Sequence, residues 1–153
     1  VIRALECLVD GVAVSSSRIR KLLAAGQVHD GNRLLGYDYT ITGTVIHGNA
    51  IGNRIGFPTA NMQLSSAKLL PLSGVYSANV QIDDCNYSAI VNIGNNPTVG
   101  NLQISVEAHV LNFEGDLYEQ TISIKFLHFI RNERKFTSLD ELRSQIQKDI
   151  QSL

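Results

Sequence analysis

Residues 104–111, "ISVEAHVL", alternate along the chain. Val106, Ala108 and Val110 fall on one face and Glu107, His109 and Leu111 on the other. A period of two belongs to an extended strand with one buried face. Three more stretches, "YTITGTVI" (39–46), "GVYSANVQI" (74–82) and "YSAIVNI" (87–93), are rich in β-branched residues and read as strands. Asp83, Asp84, Cys85 and Asn86 join the last two as a hairpin turn. "QTISIKFLHFI" (120–130) is a fifth strand or a bent pair. The period changes at both ends. Ser15, Ser16 and Ser17 can cap a short helix over 14–26, with Ile19, Leu22 and Leu23 as its apolar stripe and Gly26 as its stop. Residues 31–36 add one more helical turn. Near the C-terminus Ser138 and Glu141 form a capping box, followed by Leu139, Leu142, Ile146 and Ile150 at helical spacing.

A helical lead-in, a run of short strands and one closing helix predict a mainly β fold. Strands with Gly-rich connections favour a closed antiparallel barrel with the helix packed outside. Strands and helices do not alternate, which argues against a dinucleotide-binding sheet. The best candidate boundary is the change of texture near Leu35 to Tyr39.

With 153 residues and 44% apolar content, the chain can bury the core of one domain. A net charge of −1 advertises no surface for a polyanion. Cys7 and Cys85 fit neither a disulfide framework nor a zinc pattern, and read as reduced, structural thiols of a cytoplasmic protein. No apolar run reaches membrane-spanning length and no leader pattern is evident. A chain that begins at Val1 and has its one methionine at Met62 reads as a segment of a longer protein or as a trimmed chain.

The candidate chemistry gathers around "RIGFPTANMQ" (54–63). Pro58 fixes its own φ and pushes Phe57 toward extended geometry. Thr59 and Asn61, two residues apart, then present two oxygen-bearing side chains to one side. They suit a hard cation such as magnesium, which takes few protein ligands when substrate phosphates supply the rest. They equally suit hydrogen bonds to nearby backbone. Gly48, Gly52 and Gly56 recur every fourth residue before Pro58, a spacing that can cradle phosphates or simply bend a connection. The standard phosphate loop is absent. Glu107, in mid-strand among apolar residues, is either a general base or a solvent-facing acid. His109 reads as a packing or hydrogen-bonding residue. Arg131, Arg134 and Lys135 form a basic cluster that is either solvated or closes over a polar ligand.

Taken in order, "GNRIGFPTAN" (52–61), "LPLSGVY" (70–76), "NIGNNPT" (92–98), "VEAH" (106–109), "FEGDLYE" (113–119) and "IRNERKF" (130–136) resemble the riboflavin kinase family, from about Leu34 to the C-terminus. "SSSRIR" (15–20) resembles the end of the adenylyltransferase domain of bacterial bifunctional FAD synthetases. The resemblance implies a closed six-stranded antiparallel Greek-key barrel with a C-terminal helix over residues 26–153, and the tail of an upstream adenylyltransferase domain over residues 1–25. It implies transfer of the γ-phosphate of ATP to the ribityl 5′-hydroxyl of riboflavin, giving FMN. It also implies Thr59 and Asn61 on magnesium and phosphates, the Gly48–Gly56 loop around the nucleotide, Glu107 as general base and Arg131 at the flavin site. The adenylyltransferase step is expected to be absent from these residues. Glu119 stands where many members have glycine, and Ile130 where leucine is common. Two alternatives are a barrel that binds flavin or nucleotide without turnover and a barrel that binds nucleic acid. The near-neutral charge argues against the latter; no nucleic-acid or membrane partner is expected.

Overall fold

A computed structural model of the chain describes residues 5–48, 51–65, 68–98 and 101–153. Positions 49–50 of the glycine-spaced loop and 99–100 after the "NIGNNPT" run lie outside the described residues. A small hairpin, β1 (Leu8–Val9) and β2 (Val12–Ala13), opens the chain, followed by helices α1 (Ser16–Ala24) and α2 (Val28–Leu35). The remaining elements are β3 (Thr40–Ile46), the single turn α3 (Ile51–Arg54), β4 (Ala60–Leu64), β5 (Gly74–Ile82), β6 (Cys85–Thr98), β7 (Asn101–Val110), β8 (Thr121–Arg131) and α4 (Leu139–Gln151).

Six strands close into a barrel in the order β3-β4-β7-β6-β5-β8, every neighbouring pair antiparallel. β5, β6 and β7 follow one another by hairpins, and β8 returns beside β5, which is a Greek key. Closure leaves no barrel strand with an open edge. The predicted alternation sets the inside of the barrel. Val106 and Ala108 of β7 point inward beside Ala60 and Met62 of β4, and Val91 of β6 faces Ala108. Tyr76 and Phe126 meet edge to face at 5.3 Å in the same core.

The sequence reading missed one strand and shortened another. β4, "ANMQL", is five residues long and reads first as a ligand motif, yet Ala60 and Met62 alternate inward like any barrel strand. β6 runs on past Ile93, the expected end of the strand, through the Gly- and Asn-rich "NIGNNPT" segment, because pairing with β7 continues as far as Thr98 and Asn101. Cross-strand pairing overrides low intrinsic strand propensity here. β8 is one strand whose register with β5 shifts twice, between Val75 and Tyr76 and between Ser77 and Ala78.

The flanking helices keep their predicted caps. Ser15 Oγ accepts from Arg18 N, and Ser138 Oγ accepts from Glu141 N at 3.1 Å. The return half of the second box goes one residue further out, since Thr137 N donates to the Glu141 carboxylate at 3.0 Å. α1 docks against the barrel. Leu23 is 1% exposed in the barrel's own apolar cluster, and Leu72 N donates to Leu23 O at 3.0 Å.

Candidate active site

The outer face of the barrel carries the polar row. On β7, Glu107 lies directly opposite Asn61 of β4 on one side and Asn92 of β6 on the other. Directly opposed residues share a face of the sheet. Their neighbours in the chain, Ala60, Met62, Val91, Ile93, Val106 and Ala108, are all buried inside, so the row Asn61–Glu107–Asn92 points outward.

Two cavities meet at this row. One, of about 320 Å³, is lined by His47, Gly48, Thr59, Asn61, Asp116 and Tyr118 among others. The second, of about 120 Å³, lies between the outer face of β5, β6 and β7 and helix α4. Glu107 and Asn92 line its floor, Leu142 and Ile146 its roof, and Arg131 and Glu133 its end. Thr59 lines both. The two cavities therefore adjoin where Thr59, Asn61 and Glu107 come together.

Local structure explains how the Pro-Thr-Ala-Asn turn is held. Gly56 has φ 83°, a left-handed conformation that favours glycine, and it ends α3. A side chain at Gly52 would collide with the carbonyl oxygen of Phe57, and one at Gly48 with the carboxamide of Asn61. Gly52 O accepts from Phe57 N at 2.8 Å. From β7, the ring of His109 donates from Nδ1 to Pro58 O at 2.8 Å and meets the Phe57 ring edge to face. His109 has the structural role expected of it, and it fixes the turn relative to Glu107 two residues earlier on the same strand. Of the three glycines, only Gly48 lines the larger cavity. Gly52 and Gly56 shape the loop behind it.

Burial pushes the Glu107 carboxyl above its ordinary value, and the negative charge of Glu133 adds to this. Among the described residues no ion pair reaches Glu107. Glu133 accepts from Asn95 N at 3.4 Å with its other side toward Gly94. Arg131 lines the smaller cavity, but its guanidinium is engaged. Nε and Nη2 donate to both oxygens of Asp149 at 2.8–3.1 Å, and Asp149 is 3% exposed on α4. Gln145 Nε2 donates to the same carboxylate at 2.9 Å. Arg131 thus fastens α4 over the cavity.

Thr59 and Asn61 fit a magnesium–nucleotide complex by the chemistry of their donors. Both offer neutral oxygens, and among the described residues no group of three or more His, Cys, Asp or Glu could hold a bare ion. A site of that kind suits a cation whose other ligands are phosphates and water. Sequence reasoning missed Asn92, Glu133 and Asp149. Asn92 and Glu107 are fifteen positions apart, and only the β6–β7 register brings them together.

The Flavokinase (riboflavin kinase) family model matches residues 35–153. The bifunctional riboflavin kinase/FMN adenylyltransferase of Haemophilus influenzae is 40% identical over 95% of this chain, which covers 47% of that protein. The chain spans about half the length of the curated relatives it matches. A crystal structure described as a macrolide-efflux protein from Streptococcus pneumoniae superposes with TM-score 0.88 at 36% identity, covering 91% of this chain and 46% of that one. The riboflavin kinase of Trypanosoma brucei superposes with TM-score 0.50 at 26% identity, covering 73% of this chain and 74% of that one. No helix among the described residues is long and apolar enough to cross a membrane. With a family match over more than three quarters of its length and the barrel that accompanies it, this chain belongs to the riboflavin kinase family.

Proposed function

We propose that this chain phosphorylates the ribityl 5′-hydroxyl of riboflavin from ATP, with Glu107 as general base and Thr59 and Asn61 on the nucleotide side. The observation that carries the reading is the direct opposition of Asn61 and Glu107 at the junction of two cavities. The larger cavity takes the nucleotide and the smaller takes the flavin between barrel and α4. Thr59 Oγ and the Asn61 carboxamide oxygen would hold magnesium on the protein side, and it would supply neutralisation of the phosphate charge. Glu107 accepts the 5′-hydroxyl proton as that oxygen bonds to the γ-phosphorus. The bond between the γ-phosphorus and the bridging oxygen breaks, and ADP leaves. Most of the acceleration comes from positioning and charge neutralisation, since phosphoryl transfer asks little covalent chemistry of the protein.

Gly48 supports this reading by its packing against Asn61, and Gly52 and Gly56 by shaping the nucleotide loop. Arg131 supports it by holding α4 over the flavin cavity through Asp149. In our reading residues 1–25 are the tail of an upstream adenylyltransferase domain, the partner named in the relatives' description. Two free, exposed cysteines fit a cytoplasmic protein. The test is incubation with riboflavin, ATP and magnesium chloride, followed by chromatography. FMN and ADP in equal amounts support the proposal. Riboflavin binding without consumption of ATP would make the chain a binding module instead.

A further inference from the structure

We infer that Asn92 reads the hydroxylated side chain of the flavin and so selects a polyol-bearing acceptor. The inference rests on the riboflavin kinase reading above and names a residue that neither the sequence motifs nor the basic cluster had given a role. Asn92 lies at the centre of the β6 segment "NIGNN", opposite Glu107, on the outer face and inside the smaller cavity. Adjacent strands are about 4.8 Å apart, so Asn61, Glu107 and Asn92 span roughly 10 Å along one line. Glu107 is in the middle of that line. The reacting hydroxyl must reach Glu107, and the nucleotide side is the Asn61 side. The rest of the acceptor chain therefore extends past Glu107 toward Asn92.

The chemistry of the cavity divides in the same way. Val75, Ile90, Leu142 and Ile146 give it apolar walls that suit a flat ring system. The carboxamide of Asn92 contributes two donors and one acceptor near the proposed base, a set that matches vicinal hydroxyls, which donate and accept at once. Space is kept for it. A side chain at Gly94 would crowd the Asn92 Nδ2 at 3.3 Å and collide with the Glu133 carboxylate. Glu133 is tied at that spot by Asn95 N, so it closes the end of the cavity beyond Asn92.

A hydrogen-bonding site rejects an analogue that lacks its partner more strongly than an apolar pocket rejects a missing methylene. Two flavins separate the roles: riboflavin, with its ribityl chain, and lumiflavin, whose ring bears a methyl group instead. Dissociation constants are measured by flavin fluorescence for the wild type, Asn92→Ala and Asn92→Ser. Asn92→Ala should weaken riboflavin by about three- to tenfold, the range of one or two neutral hydrogen bonds, and leave lumiflavin unchanged. Asn92→Ser, which offers a hydroxyl in place of the carboxamide, should lose less than Asn92→Ala. Equal weakening of both flavins, or no change in either, would overturn the role of Asn92. Wild-type protein that binds and phosphorylates riboflavin while Asn92→Ala does so equally well would overturn this inference alone. Wild-type protein that binds no riboflavin would overturn the functional reading beneath it.

Discussion

Glu107 is buried enough, and close enough to Glu133, for its carboxyl to titrate above the ordinary glutamate value. A base works only when deprotonated, so the acid limb of kcat/KM, which reports the free enzyme, should lie at higher pH than for an exposed glutamate. Glu133→Gln removes the neighbouring charge and should move that limb down. A pH–rate profile that does not move would separate Glu133 from Glu107. The same burial has a stability sign. A carboxyl whose folded pKa is raised favours the folded state in its protonated form, and that contribution is lost as pH rises through the folded value. Above that window Glu107→Gln should melt no lower than the wild type. On the other side of the junction, Thr59→Ala should raise the dissociation constant for magnesium–ATP by about tenfold or more, the loss of a hydrogen bond or ligand to a charged group. Titration calorimetry at several magnesium concentrations reads this directly. Unchanged affinity throughout would remove Thr59 from the nucleotide site.

Elements hold these residues by a few contacts whose loss is measurable. The ion pair from β8 to α4 puts a nearly fully buried carboxylate, Asp149, under the bidentate grip of Arg131. Asp149→Ala leaves Arg131 without its partner in a partly buried place and should cost about 3 kcal/mol in chemical denaturation. Arg131→Lys should recover little of the geometry, because an ammonium cannot make the fork. Glu119, just before β8, has φ 62° and donates its N–H to Val45 O at 2.9 Å. Glu119→Gly should stabilise the fold by a few tenths to about 1 kcal/mol, the left-handed strain less the added freedom of the unfolded chain. Much of this level was legible beforehand. Alternation around Glu107 gave the inside and outside of β7, and Ser138 with Glu141 gave the start of α4. What was not legible came from pairing at a distance. "NIGNN" looks like a loop until β7 lies beside it, and "ANMQL" is too short to signal a strand by itself. Asp149 reads as one more polar residue of an amphipathic helix until Arg131 meets it.

At the scale of the molecule, a closed barrel provides a rigid wall with an outer face and α4 provides a roof, and the smaller cavity, where we propose the flavin binds, is the space between them. The larger cavity lies around the corner at the ends of β3 and β4, so in our proposal the two substrates reach Glu107 from different sides. The motif order pointed to this family and its barrel. It did not reveal that Thr59 borders both cavities, since that depends on how β4 meets β7. The 153 residues, tested as such, should stop at FMN. Incubation with FMN and ATP should give no FAD by chromatography, and its appearance would refute the assignment of residues 1–25 as only a tail. The most direct measurement is made on Glu107→Gln, with turnover and both substrate affinities determined on the same preparation. The account predicts that kcat falls about 100- to 10,000-fold while the dissociation constants for riboflavin and magnesium–ATP stay within twofold of the wild type. Wild-type turnover in that variant would contradict it.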